Sequence, residues 1–225
     1  MIDLVSATRL SEGEFWNSSA LGLSLGRLMF ETRINACPVY DNRRGLSEIY
    51  NERILAPDCA EYLVFVHDDV WLDDYYLVNR VLEGLAQYDV IGVAGNRRRH
   101  DGQPSWGFVD AKFKWEDKSY LSGWVGHGKQ PFGLVSNFGA PPPAECELLD
   151  GVFLAAKRDT LREKNVRFDP QFDFHLYDID FCRTARQQGL RLGTWPIALT
   201  HQSKGSFGTE SWFARYEKYL AKWGS

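Results

Sequence analysis

The chain has 225 residues, 44% of them hydrophobic and 25% charged, an ordinary globular composition with enough length for a real core. Lys and Arg number 26 against 30 Asp and Glu, a net charge of −4. That balance excludes a general nucleic-acid binder, which must neutralise phosphates, and the composition excludes disordered, collagen-like and mini-protein classes. The aromatic share is 14%, with eight Trp, which suits either a ring-shaped ligand or a core rich in rings.

In chain order, Ile2 to Ala7 is an apolar run that predicts a buried strand emptying into a loop at Thr8 and Arg9. Ser11, with Glu14 three residues on, predicts a helix start. Phe15, Leu21, Leu25 and Leu28 can line one face of the helical stretch it opens. Thr32 to Val39 reads as a strand whose Pro38 belongs at a sheet edge. Gly45 to Leu55 carries Leu46, Ile49, Tyr50 and Ile54 on one helical stripe. Tyr62 to Val66 is wholly apolar apart from its leading phenol, as in a parallel strand covered on both faces. A helix over Asp74 to Leu85 and a buried strand over Val90 to Ala94 come next. Strands alternating with helices argue for an α/β fold.

The alternation breaks between Arg97 and Glu147, where Arg97 to Arg99, Trp106, Trp115, Trp124 and many glycines read as a long excursion of short strands or hairpins. Leu148 to Ala156 restores a strand, and Asp178 to Gln188 a helix closed by Gly189. Leu190 to Leu199 is the last predicted strand, and Glu210 to Trp223 a helix with Phe213, Tyr216, Leu220 and Trp223 on one side. Cys37, Cys59, Cys146 and Cys182 form no C-x-x-C pair, so reduced thiols and a cytoplasmic location are expected. Met1 to Leu10 lacks the long apolar run of a signal peptide, and no stretch reaches the ~18 apolar residues of a transmembrane segment.

In open parallel sheets, ligands sit beyond the carboxyl ends of the strands. There the sequence places His67, Asp68 and Asp69 after one strand, Asn96 and Arg97 after another, and His201, Ser203 and Lys204 after the last. Carboxylates at a strand end supply hard oxygen ligands for Mg²⁺ or Mn²⁺, although polar residues also simply mark a strand's exit. His201 as a neutral imidazole would favour Mn²⁺, or be a lone loop histidine. Lys204 beside Gly205 suits phosphates. Asp178 and Asp180 cannot share a helical face, so Asp180 fits as the helix cap and Asp178 as a general base in the cleft. Both also fit as first-turn acids favoured by the helix dipole. Asp150-Gly151 interrupts an apolar segment, either to meet sugar hydroxyls or as a bend bonded to backbone. The tryptophans of the excursion either stack on sugar faces or build a satellite core.

The ordered set NERILAPDCAEYLVFVHDDVWL, LLDGVFLAAKRDTL, FDFHLYDIDFCRTARQQGLRLG and THQSKGSFG, covering roughly residues 45–96 and 148–208, resembles the GT-A glycosyltransferases, in particular family-2-like members. The resemblance implies one domain over 1–225, an α/β fold with a mixed, mostly parallel sheet flanked by helices, and 97–147 as an acceptor-side insertion. It also implies metal-dependent, inverting sugar transfer from a nucleotide diphosphate donor, a UDP-sugar, to a saccharide, lipid or protein acceptor. His67-Asp68-Asp69 matches the D-x-D motif, with Asp69 as its metal-binding acid and His67 in place of the first Asp. Asp178 matches the base of the "ED" pair, with Tyr177 in place of the Glu. His201 matches a histidine that completes the metal site. Thr8, Arg9, Asp41 and Asn42 lie where such enzymes hold the nucleotide, and Asp150-Gly151 where donor sugar and acceptor meet. Two other classes fit the sheet: a nucleotidyltransferase, which wants a Gly-rich basic loop where this chain has Thr8 to Gly13, and a UDP-binding relative without transferase activity.

Overall fold

The computed structural model describes residues 1–203 and 205–224. β1 (Ile2–Ala7) is buried along almost its whole length. It leads through Thr8 into α1 (Glu12–Ser18), where Ser11 and Glu14 form the expected reciprocal cap, Ser11 N–H donating to the Glu14 carboxylate at 2.9 Å. Ser19 then caps a separate helix, α2 (Ala20–Arg27), so the stripe from Phe15 to Leu28 is divided between two helices. β2 (Ile34–Val39) lies parallel to β1 at the sheet edge, where Pro38 interrupts no interior ladder. α3 (Leu46–Leu55) covers the sheet, and β3 (Tyr62–Val66) pairs parallel with β1.

Three runs expected as single strands are each two strands that step from one sheet into another. β5 (Val90–Gly92) belongs to a seven-stranded sheet and β6 (Ala94–Asn96) to a six-stranded one. β10 (Leu148–Leu149) and β11 (Phe153–Lys157) divide the same way at Asp150-Gly151. So do β12 (Leu192–Thr194) and β13 (Leu199–His201), around Pro196, which lacks an N–H for a ladder. An unbroken apolar run has no period in which such a step could show. The fold is therefore mixed α/β as expected, but not mostly parallel: β1–β2, β1–β3 and β5–β12 pair parallel in the larger sheet, β11 runs antiparallel between β3 and β5, and the second sheet is mainly antiparallel.

The second sheet is completed by β4 (Val70–Leu72), β7 (Leu121–His127) and β8 (Leu134–Asn137), with β9 (Ala144–Cys146) returning to the edge of the first. β4 and α5 (Arg158–Glu163) are elements the sequence reading did not anticipate. α4 (Leu77–Leu85) begins later than the expected Asp74, whose carboxylate instead accepts from Tyr76 N–H in a turn. The insertion is stapled by Glu116, 5% exposed, which takes two hydrogen bonds from Arg98 at 2.9 and 2.7 Å and lies 2.7 Å from His100 Nε2. The Arg98 hydrogen bond, with help from His100, outweighs burial and holds the Glu116 carboxyl down at about 2.

α6 (Tyr177–Gln187) is closed by Gly189 as expected, but its N-cap is Leu176 in the left-handed region, not Asp180. Asp180 lies fully buried inside the helix and accepts from Trp223 Nε1 at 2.7 Å, with Lys222 Nζ also at 2.7 Å. α7 (Glu210–Trp223) has the expected bounds with a shifted face. Trp212 and Tyr219 are buried and Phe213 is 43% exposed, because Phe113 of the insertion packs on Trp212 at 5.2 Å. No helix among the described residues is long and apolar enough to cross a membrane.

Candidate active site

The carboxyl ends of β3, β7 and β13, the step between β10 and β11, and the first turn of α6 meet around one cavity of about 460 Å³. Its polar lining includes His67, Asp150, Tyr177, Asp178 and His201, four of which were expected from strand ends and helix starts. His67, Asp69 and His201 each bring one ligand atom to within 4.8 Å of the others. Asp69 Oδ1 is buried, lacks a well-aligned hydrogen bond among the described residues, and faces His201 Nε2 at 3.3 Å. Burial opposes ionisation of Asp69, but His201 and then His67 outweigh it and hold the carboxyl at about 2. Asp69 in turn lifts His201 above the ordinary imidazole value against its own burial, while burial depresses His67.

Asp68 turns away from this cluster and accepts from Thr8 Oγ1 at 2.6 Å. The β1 and β2 loops are joined there, Asn42 N–H donating to Thr8 O at 2.8 Å and Asp41 N–H to Leu10 O at 2.9 Å. Thr8 and Asn42 are thus brought beside the D-x-D-like turn, but Thr8, Asn42 and Asp68, like the exposed Arg9 and Asp41, line no part of the cavity. Lys204 lies outside the described residues.

On the other side, Gly151 N–H donates to Asp178 Oδ2 at 3.1 Å, and Asp150 Oδ1 accepts from Val152 N–H at 2.9 Å. A Cβ at Gly151 would stand 2.4 Å from the Tyr177 oxygen and 2.8 Å from Asp178 Cβ, so glycine is required by the close approach. Burial and then the charge of Asp150 raise the Asp178 carboxyl to about 7, although backbone N–H groups of Ile179 and Gly151 favour its ionised form. A carboxyl poised there, open to a cavity, suits a general base.

The walls are aromatic. Trp106, Trp115 and Phe138 interlock, Trp106 edge-on to Phe138 at 4.9 Å, and Phe174 stacks beside His67 at 6.3 Å. The insertion's tryptophans therefore divide: Trp106 and Trp115 face this cavity and Trp124 another. Among the described residues the lining has no Lys or Arg. His127, a lining residue not anticipated from sequence, is the register partner of His201 in the parallel β7–β13 pair. The strand-end rule finds it once Leu121 to Gly126 is seen as a strand, which its glycines obscure.

The mixed α/β fold is the one that GT-A glycosyltransferases share, as solved structures show. The catalytic domain of Drosophila beta1,4galactosyltransferase 7, solved with xylobiose, superposes with a TM-score of 0.53 at 10% identity, covering 96% of this chain and 79% of that one. GalNAc-T7 with UDP, GalNAc and Mn²⁺ gives 0.55 at 9% identity, covering 98% of this chain and 47% of that chain. TarS of S. aureus gives 0.52 at 11% identity, covering 98% and 64%. These likenesses establish the fold. The chain belongs to the glycosyltransferase like family, whose model matches residues 32–220. No curated protein matches it by sequence.

Proposed function

We propose that the protein transfers a sugar from a UDP-linked donor to an acceptor hydroxyl with inversion at the anomeric carbon. The observation that carries this reading is one cavity with a carboxylate–imidazole cluster on one side and Asp178 on the other. The cluster fits a divalent cation: Asp69 Oδ1 is a buried oxygen met among the described residues only by a poorly aligned His201 Nε2 at 3.3 Å, and two imidazoles beside it favour Mn²⁺ over Mg²⁺. Asp69 and His201 would hold the ion with His67 as third ligand. When bound, the ion supplies positive charge to the diphosphate leaving group. UDP is the nucleotide held with Mn²⁺ by GalNAc-T7, which supports the same donor class here.

Asp178 takes the acceptor hydroxyl proton as the oxygen forms its bond to the anomeric carbon and the bond to the diphosphate oxygen breaks, the electron pair leaving with the diphosphate. Asp150, beside Asp178 and free at one oxygen, accepts from sugar hydroxyls. Thr8 and Asn42 hold the nucleotide end, and the Trp106–Trp115 wall excludes water and offers a face to the acceptor.

The test is calorimetric titration of UDP and GDP, each with Mn²⁺ and with EDTA, followed by assay of UDP-sugar hydrolysis. Metal-dependent binding of UDP that is lost in Asp69→Ala, with slow hydrolysis of one UDP-sugar, is the expected result. No binding of either nucleotide in Mn²⁺ overturns the metal–diphosphate reading. Binding without hydrolysis or transfer identifies a nucleotide-binding protein instead.

A further inference from the structure

A second cavity of about 450 Å³ lies on the opposite face of the β7–β13 ladder. The alternation of strand side chains places it there: Gly126 and Thr200 line it, while the next residues, His127 and His201, line the active-site cavity. The transfer reaction makes no use of it. Its walls are Trp124, 44% exposed, Phe132, 64% exposed, and Trp195. Phe132 is held in the left-handed backbone region, its N–H donating to Asp73 Oδ2 at 3.0 Å.

The floor is polar and incompletely paired. Asp73 is 8% exposed, and its Oδ2 also accepts from Thr200 Oγ1 at 2.6 Å. Its Oδ1 has no hydrogen-bond partner among the described residues, with the Arg27 guanidinium 3.8 Å away. Trp195 Nε1 is likewise a buried donor with no partner among them. At the mouth, Asp74 and Arg80 stand 3.8 Å apart, too far to saturate one another.

We infer that this cavity binds a neutral saccharide. A pyranose offers a flat apolar face to the Trp124 and Trp195 side chains and a rim of hydroxyls that both donate and accept, matching the loosely paired Asp74 carboxylate and Arg80 guanidinium. Asp73 and Asp74 face Arg27 and Arg80, so the site has no excess positive charge for a phosphate or sulfate. Arg27, 5.9 Å over the Phe132 ring, and Arg80 disfavour an organic cation on the same aromatic faces. A volume near 450 Å³ falls within the range of small-molecule sites, about 300–1,000 Å³. The inference is independent of the transfer reading.

Saturation-transfer NMR on the full chain with cellobiose, lactose and diacetylchitobiose, and with choline as the cationic control, tests it. At least one disaccharide should receive saturation at its ring protons. Trp124→Ala should weaken that binding at least ~10-fold, and Asp74→Asn should weaken it less, with Mn²⁺-dependent UDP binding unchanged in both. Trp115→Ala, in the other cavity, should leave it intact. Failure of all three disaccharides, saturation of choline instead, binding that survives Trp124→Ala, or loss in Trp115→Ala overturns the assignment.

Discussion

The imidazole of His67 and the phenol of Tyr177 meet with Nε2 and oxygen 2.8 Å apart. The phenol also donates to Gly151 O at 2.8 Å, and a carbonyl cannot return a proton. Tyr177 therefore accepts from His67, whose proton sits on Nε2 and whose Nδ1 keeps the lone pair a metal needs. In the proposed correspondence His67 stands for the first acid of a D-x-D motif and Tyr177 for the Glu before the base, so the two departures from that pattern are a single contact. Tyr177→Phe should fold, since the ring stays packed on Tyr50 and Phe168, yet lower Mn²⁺-dependent UDP affinity about 10- to 100-fold. Titration checks this, and an unchanged affinity would show that the tautomer is fixed without the phenol.

Asp178 must be ionised to accept a proton, and its carboxyl is raised to about 7. The transfer or hydrolysis rate of the parent should therefore climb as pH rises through about 7 and level above it. Asp178→Asn should lower turnover about 10²- to 10⁴-fold and abolish that limb, with UDP affinity in Mn²⁺ little changed. A pH–rate profile of both proteins decides the matter: retained turnover in the variant removes Asp178 from the base role.

The same carboxyl makes a statement about stability. Its folded value lies above the ordinary one, so its contribution is fully present in acid and is lost as pH rises through about 7. Asp178→Asn carries no such penalty. It should be more stable than the parent by on the order of 2 kcal/mol at about pH 8, the difference closing toward about pH 4. Denaturant melts across that range measure it, and a destabilising buried carboxyl is what the proposed base role would require.

Residues that follow short apolar runs were legible in the sequence because the run itself locates the strand end. Hence His67 and His201 could be placed at the cleft from strand ends alone, whereas Asp150 and Asp178 needed the family resemblance and the strand-end candidates Asn96 and Arg97 line no part of it. The three strands that step between sheets were not legible, since apolar residues on both sides of each step carry the same signal. The face of α7 was ambiguous in kind: residues 212, 216, 219 and 223 and residues 213, 216, 220 and 223 are both helical stripes, and contacts remote in sequence, Phe113 on Trp212 and Phe172 and Arg183 on Tyr219, select the first. His127, Trp106, Trp115 and Phe138 belong to the 97–147 excursion, whose register depends on pairing with β6 and β13.

The insertion's own anchor gives a last prediction. Glu116 binds Arg98 through two hydrogen bonds and His100 through a third, and Arg98 also lies 3.4 Å over the Tyr120 ring. This carboxylate ties the start of the excursion to the segment carrying Trp115, and so sets the cavity wall. Glu116→Gln keeps the shape and removes the charge. It should destabilise the protein by about 2 kcal/mol near neutral pH, the scale of a hydrogen-bonded charge. Because the folded carboxyl sits at about 2, below its ordinary range, the parent's advantage should persist down to about pH 4.5 and vanish as pH falls toward 2. With the wall loosened and the Asp69 cluster untouched, Mn²⁺-dependent UDP binding should stay at the parental level while the acceptor KM rises several-fold. Equal losses at both ends would mean that the insertion supports the donor site as well.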